Sequence, residues 1–305
     1  MRVQNELDNL FFLSLVYICV AGILSSCSPD EDSKNPTQYE QYISISADQT
    51  PDVSPDGKWI AYFHKSLESP ESRDYPTGLY IMDSLGLNRR LLLKGTHFQP
   101  SWSPDSKWLV FTSEGVLQII SIDSDSIRTF GGIGDLPLLF PDWSGDGKVI
   151  LFSSPYVEGG GVFSCSPDFN HFRQIYNHYE LSAYPVKLYS QGQFICCLYS
   201  QEWSSEEIFI IDTALIQSTR LTFNNYSDRY PAVSPFHDYI AWSSNVQIWR
   251  MNNDGTNQKR LDYGQYPSWT PDGRYLVYSF ANSDFTKEVI WKIDINGNNK
   301  TQLTY

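Results

Sequence analysis

The chain has 305 residues, of which 41% are hydrophobic and 15% aromatic, enough apolar side chains to build a sizeable core. Its formal net charge at pH 7 is -13, and its mean hydropathy is -0.35. This charge would repel a polyanion, so the composition argues against a nucleic-acid partner.

The N-terminal segment contains an apolar run of 15 residues, from Leu10 to Leu24. The run is short for a transmembrane helix and has the length of a signal-peptide core. The sequence Leu-Ser-Ser-Cys at its end resembles a bacterial lipoprotein signal, with residues 1–26 removed and Cys27 lipidated. The alternative is an uncleaved signal anchor. In both cases we expect an exported, tethered protein in which residues 27–40 form an acidic flexible linker.

A short motif recurs along residues 41–305. It combines an aromatic or apolar lead-in, a Ser-Pro-Asp-Gly turn or a variant, and an apolar run, as in SWSPDSKWLVFTS at 101–113. The spacing between Pro141 and Pro231 is twice the usual step, which predicts a degenerate copy at Pro185. Six repeats of this length indicate a solenoid, a propeller or an array. In the clear copies a proline lies three residues before the Ser or Thr, at Pro51, Pro100, Pro141, Pro231 and Pro267.

Each repeat contains the elements of a four-stranded antiparallel sheet. Pro, Asp and Gly favour a tight hairpin turn, and the run that follows, such as WIAYF at 59–63, suits a strand buried on both faces. A third segment such as GLYIMD and a fourth such as RRLLL come after it. Four short strands in about 40 residues are typical of a propeller blade. The predicted fold is therefore all-β, a six-bladed β-propeller of four-stranded antiparallel blades.

The turn motif, the Leu-Thr pairs at 221–222 and 303–304, and the number of repeats resemble the TolB-like propellers, a WD-repeat-like family with Pro-Asp turns. The resemblance covers residues 41–305 and implies a six-bladed propeller lipoprotein of the cell envelope. The fourth repeat lacks Ser-Pro-Asp, and the fifth has Phe236 and His237 where Asp and Gly are usual. TolB carries an additional α/β domain before its propeller, and we expect none in this chain.

The sequence contains no recognisable catalytic motif. Asp56, Asp105, Asp146 and Asp272 occupy the same turn in different repeats, which indicates a structural role, because an active site is needed only once. There is no Gly-x-Ser-x-Gly elbow, and the histidines lack metal-binding spacing. We therefore expect no enzyme activity, no metal and no cofactor.

Position in the repeat suggests a binding face. In a propeller, the loops that lead into the innermost strands surround one mouth of the central channel. The residues just before the six prolines are Thr50, Gln99, Phe140, Tyr184, Tyr230 and Tyr266. The alternative for the aromatic residues among them is packing between blades. Close to these pre-proline residues the sequence has His97, Phe98, Asp228 and Arg229. They are polar and aromatic side chains of the kind enriched in recognition surfaces.

Two functions follow as hypotheses. The first is a non-catalytic scaffold, lipid-anchored to the outer membrane, facing the periplasm or the cell surface, that binds an envelope protein or peptide, or a glycan, through the mouth. The second is a carbohydrate-active envelope protein, either a sugar-acid lyase or a glycan-binding propeller. A lyase would need converging histidines, and the repeats place only His97 at the mouth, with His64 at a loop edge. Because an open ring would leave unpaired edges, we expect residues 41–46 to pair with the sixth repeat, either as its outer strand or as an added edge beside residues 300–304.

Overall fold

The computed structural model describes residues 46–66, 75–124, 126–131, 137–154, 161–177, 186–190, 192–200, 204–215 and 217–305. The regular elements in these residues are 24 β-strands in six groups of four; four groups are separate sheets, and the first and last groups are joined into one sheet of eight strands. Each group is antiparallel and follows chain order from its first strand to its fourth. The predicted fold, a six-bladed β-propeller of four-stranded antiparallel blades, is confirmed.

The first three blades supply twelve strands. Blade 1 consists of β1 (Ser46–Val53), β2 (Trp59–Ser66), β3 (Gly78–Asp83) and β4 (Arg90–Lys94). Blade 2 consists of β5 (His97–Trp102), β6 (Trp108–Ser113), β7 (Val116–Ser121) and β8 (Ile127–Phe130). Blade 3 consists of β9 (Leu139–Trp143), β10 (Ile150–Ser154), β11 (Gly161–Cys165) and β12 (Arg173–Tyr176).

The other three blades follow the same plan. Blade 4 consists of β13 (Lys187–Ser190), β14 (Gln193–Ser200), β15 (Ser205–Asp212) and β16 (Gln217–Arg220). Blade 5 consists of β17 (Asp228–Val233), β18 (Tyr239–Ser244), β19 (Gln247–Asn252) and β20 (Lys259–Tyr263). Blade 6 consists of β21 (Gln265–Trp269), β22 (Tyr275–Ala281), β23 (Lys287–Asp294) and β24 (Thr301–Gln302).

The core lies between the blades. The second and third strands are apolar on both faces, so each face packs against a different neighbour. Between blades 1 and 2, for example, Leu79 and Ile81 pack with Leu109 and Phe111, and all four side chains are fully buried. Equivalent clusters fill each of the other five seams, including the seam between blades 6 and 1. The sheets are therefore stabilised as a ring rather than singly.

The repeated turns share one hydrogen-bond network. In blade 1 the Ser54 hydroxyl donates to Asp56 Oδ1 at 2.7 Å and accepts from Trp59 N at 2.9 Å, while Asp56 Oδ1 also accepts from Lys58 N. The turns that contain Asp105, Asp146 and Asp272 repeat these bonds. The aspartates therefore hold the hairpins, as predicted.

Two strands, β1 and β24, pair with the third strand of blade 6. Ser46 and Ala47 pair in parallel with Lys287 and Glu288 on β23, and β24 pairs with β23 further along. Residues 41–45 lie outside the described part of the chain. The seam repeats contacts found elsewhere in the ring, because Gly86 packs against Leu303 as Gly297 does against Leu261. Blades 6 and 1 therefore meet through the same kind of contact as neighbouring blades.

Candidate functional site

The two ends of the central channel are formed by different parts of each blade. Each first strand starts at one face of the ring and ends at a turn on the other face; we call these the mouth face and the turn face. Because the second strand runs back, it ends at the mouth face, and the third strand begins there. The residues before the prolines lie in the first strand, so they belong to the mouth side.

A bulge turns these residues toward the channel. The pairing of the first strand with the second shifts register at this position in the five blades that have the proline. The residue just before each proline has left-handed backbone, with φ between 51° and 58°. Such conformations are costly for side chains other than glycine, and bulges commonly re-aim a side chain. The residues concerned are Thr50, Gln99, Phe140, Tyr230 and Tyr266.

Three aromatic side chains from these positions meet across the channel. The ring centroids of Tyr230 and Tyr266 are 4.4 Å apart, and those of Phe140 and Tyr230 are 6.5 Å apart. Phe140 belongs to blade 3 and Tyr230 to blade 5. Their contact therefore passes the channel side of blade 4, which lies between these two blades in the ring. Burial raises the pKa of the Tyr230 hydroxyl, although Arg229 and a hydrogen bond with Tyr266 oppose it. We call Phe140, Tyr230 and Tyr266 the aromatic arc.

Blade 4 has a different register from that expected. Leu188 pairs with Phe194 as Val233 pairs with Ile240 in blade 5, so Val186 takes the level that the repeat proline has elsewhere. The repeat spacing predicts Pro185 at that level. The displacement arises because the hairpin turn of blade 4 is one residue shorter. Tyr184, the predicted aromatic residue of this blade, lies outside the described residues.

A polar ring lies below the aromatic arc. Its members follow the prolines by one residue, or occupy the same level in blade 4, and we call them the inner ring. Asp52 Oδ2 accepts from Trp102 N of the next blade at 3.2 Å, and Ser268 Oγ accepts from Val53 N. The ring therefore links neighbouring first strands by side-chain hydrogen bonds. Its six members are Asp52, Ser101, Asp142, Lys187, Ala232 and Ser268.

The charges of the inner ring interact across the axis. Lys187 Nζ lies 2.8 Å from Asp142 Oδ1, and Asp142 Oδ2 accepts from Leu188 N at 3.0 Å. Burial alone would lower the pKa of Lys187, but Asp142 and Asp52 outweigh it and raise that pKa. Burial raises the pKa of Asp52, and Lys187 of the opposite blade opposes this only in part. Sequence reasoning missed this ring, although the position after each proline could have shown the two aspartates.

The rim of the mouth contains paired charges. Arg229 Nη2 is 2.9 Å from both carboxylate oxygens of Glu206, which belongs to the third strand of the preceding blade. Gln49 makes the corresponding contact with Glu288 across the seam of blades 6 and 1, at 2.6 Å. Phe98 packs against Phe63, with ring centroids 4.8 Å apart. Arg229, Gln49 and Phe98 are therefore part of the wall of the mouth.

Two predicted site residues have almost no exposed surface. His97 is 6% exposed; its Nε2 contacts Lys94 O at 2.8 Å, its ring lies edge-on to Phe111, and burial lowers its pKa. Asp228 is fully buried and accepts a hydrogen bond from Asn224 Nδ2 at 2.8 Å. Burial raises the pKa of Asp228. Both side chains support the mouth from within rather than presenting surface to a ligand.

No group of three His, Cys, Asp or Glu side chains suited to a metal ion occurs in the part of the chain that the structure covers. The described cysteines, Cys165, Cys196 and Cys197, are buried thiols. The described residues also include no helix that is long and apolar enough to cross a membrane.

No protein-family model matches the chain. The chain is similar to an uncharacterized protein, Atu1656, of Agrobacterium fabrum, with 26% identity over 197 residues. The matched region covers 61% of this chain and 66% of that protein, so the match spans just under two thirds of the relative's length.

Solved propeller structures are similar to this one. A putative TolB from Agrobacterium tumefaciens has a TM-score of 0.61 and 21% identity, over 71% of this chain and 84% of that one. TolB from Acinetobacter baumannii has a TM-score of 0.67 and 15% identity, over 91% and 85%. An oligogalacturonate lyase from Vibrio parahaemolyticus has a TM-score of 0.56 and 8% identity, over 86% and 77%. At these identities the similarity shows a shared propeller fold, and the site must be argued from its own residues.

Proposed function

We propose that this protein is a non-catalytic binding scaffold of the cell envelope, which engages a protein or peptide partner through the mouth face. The aromatic arc is the observation that supports this function most directly. Its three rings come from separate blades, and left-handed backbone at each of them directs the side chain into the channel. Backbone strain of this kind persists where the surrounding structure holds it, commonly at binding sites.

The arc is suited to binding because it is held before a partner arrives. Each member lies in a first strand paired to its blade, and Phe140 N donates to Gln99 Oε1 while Tyr266 N donates to Ser243 Oγ. A preorganised surface loses little conformational entropy on association. Half-buried tyrosines with a polar tip are also among the side chains enriched at interaction hot spots.

We further propose that the propeller is exported and tethered by lipid at Cys27. The support is the apolar run and the Leu-Ser-Ser-Cys sequence, together with the shared fold of TolB structures. We expect mass spectrometry of detergent-extracted protein to show an acylated N-terminal Cys27. Recovery of an intact Met1 without an acyl chain would remove the lipoprotein part of the proposal.

The carbohydrate alternative has weaker support. It rests on similarity to a lyase propeller at 8% identity, which concerns the fold alone. His97, the histidine predicted at the mouth, is buried and contacts a backbone carbonyl. A glycan ligand for the aromatic arc is therefore kept as an outcome of the binding test below.

The test compares partners captured from envelope extract by the wild type and by the double variant Tyr230→Ala/Tyr266→Ala. A matched control is Phe236→Ala, which removes an aromatic side chain that is 67% exposed on the turn face. All proteins are first shown to melt at similar temperatures. We expect the double variant to lose the partner and the control to keep it. Retention of every partner by the double variant would contradict the proposed site, and capture of a glycan instead of a protein would favour the alternative.

A further inference from the structure

Carboxylates outnumber cations in the inner ring. Lys187 is the basic member, and its ammonium lies 2.8 Å from Asp142. Asp52 has no basic side chain within 4 Å in the described part of the chain; its two oxygens accept from the Ser268 hydroxyl and from Trp102 N. The charge of one ring carboxylate is therefore compensated only at longer range.

Asp52 lies on the path of a group that enters the mouth. It follows Thr50 by two residues on β1, past the bulge, which places the inner ring below the level of the aromatic arc. Its carboxylate accepts hydrogen bonds from the Ser268 hydroxyl of blade 6 and from Trp102 N of blade 2, which places it between the first strands that surround the channel. Asp52 is intermediate in exposure, whereas Asp142 of the same ring is buried.

Aromatic faces and carboxylates are the two kinds of group that hold organic cations. A lysine ammonium or arginine guanidinium is attracted to the face of Tyr or Phe, more strongly where water is excluded. The net charge of -13 attracts a cationic partner at longer range. Building on the proposed function, we propose that the partner inserts a basic side chain, arginine or lysine, between the aromatic arc and Asp52.

An acidic ligand group would meet less favourable electrostatics. In the inner ring it could contact Lys187, but that ammonium is already paired with Asp142, and Arg229 at the rim is paired with Glu206. A second anion at this level would be repelled by both Asp52 and Asp142. Preference for an acidic group is therefore the outcome most opposed to the inference.

The experiment uses four pentapeptides with blocked termini. Each has glycine at the four outer positions and arginine, lysine, norleucine or glutamate at the centre. Dissociation constants are measured by NMR titration against the full propeller. We expect the arginine and lysine peptides to bind about tenfold more tightly than the norleucine peptide, in line with a desolvated cation–π contact. Equal binding of all four, tighter binding of the glutamate peptide, or no binding at about 1 mM would overturn the inference.

Two variants locate the effect. Asp52→Asn keeps an acceptor for Trp102 N and removes the charge, so we expect the arginine preference to fall to about twofold or less. Asp168→Asn, in an exposed turn of blade 3, is the matched control and should leave the preference unchanged. An undiminished preference in Asp52→Asn would contradict the role of this carboxylate. If that variant fails to fold, the pH profile of the wild type replaces it.

The pH profile follows from the groups around Asp52, which are Lys187, Asp142, Ser268 and Trp102. Burial raises the pKa of Asp52, so its carboxylate is neutralised at a higher pH than an exposed aspartate. The preference for arginine should be complete above that pKa and decline as the pH falls through it. Constant preference down to full protonation would overturn the inference. If norleucine and arginine peptides bind equally but depend on Tyr230, the inference fails while the proposed function stands.

Discussion

The turn face and the mouth face of the propeller are built by different rules. On the turn face, one hydrogen-bond network recurs, and the Asp56 and Asp105 carboxylates make the same bonds in their own hairpins. On the mouth side, the equivalent positions carry different residues, and buried atoms such as Thr50 Oγ1 and Ser279 Oγ have no hydrogen-bond partner within the described residues. Repetition thus indicates a structural role, whereas unsatisfied, non-repeated groups indicate where a ligand or water can bind.

The largest loss of stability is expected at the seam between blades 6 and 1, because both faces depend on closure of the ring there. Gly86 has φ of 82°, and a Cβ placed there would lie 2.2 Å from Leu303 O. Gly86→Ala should therefore lower the free energy of unfolding by about 2 to 4 kcal/mol, from left-handed strain and loosening of the seam. Chemical denaturation measures this change in the free energy of unfolding. Gly145→Ala is the control, since a Cβ there meets nothing within 4 Å; similar losses in both variants would argue against a seam effect.

The repeat determined how much could be predicted. The strand order, the blade boundaries and the role of the turn aspartates followed from residues that recur at fixed spacing. Lys187 could not be placed, because blade 4 has lost its turn motif and is shifted by one residue. The meeting of Phe140 with Tyr230 was also hidden, because it depends on the channel width and on side-chain direction at the bulge. The position of a residue in the repeat predicts its level along the channel. Contacts between side chains of different blades across the channel can be found only from the structure.

A turn-face substitution should affect stability and leave binding intact. Asp272→Ala removes bonds from the Thr270 hydroxyl and Arg274 N, and we expect a loss of about 0.5 to 2 kcal/mol by thermal or chemical unfolding. Burial opposes ionisation of Asp272, but these bonds outweigh it and lower its pKa to about 2. Because the pKa is lower than in the unfolded chain, this contribution is present above about pH 4 and is lost as the pH falls toward 2. Loss of partner binding at unchanged melting temperature would show that the turn has a second role.

A mouth substitution should abolish binding at a modest cost in stability. Tyr266→Leu removes a ring pair and a hydroxyl bond with Tyr230 but keeps apolar volume. We expect a stability loss of about 1 kcal/mol, the scale of an aromatic pair, together with loss of partner binding. The comparison is made by measuring melting and binding on the same preparations. A variant that melts at a lower temperature but binds normally would show that the aromatic arc is packing alone.

The smallest effect distinguishes two residues with the same backbone conformation. His237 and Ser106 both have φ of 59° at the position that Gly57 occupies in blade 1. His237→Gly relieves left-handed strain at the cost of an edge contact with Tyr189, so we expect a gain of about 0.5 kcal/mol. Ser106→Gly relieves the same strain but removes the hydroxyl that accepts from Asp56 N at 3.0 Å in the neighbouring blade.

That bond joins two turns, and its loss should offset the relief, leaving Ser106→Gly neutral or less stable by about 0.5 kcal/mol. Thermal unfolding of the two variants side by side measures the difference in sign. Equal stabilisation of both would mean that contacts between neighbouring turns contribute little. The turn face would then be stabilised hairpin by hairpin, and the shared network would be a consequence of repetition rather than a means of locking blades together.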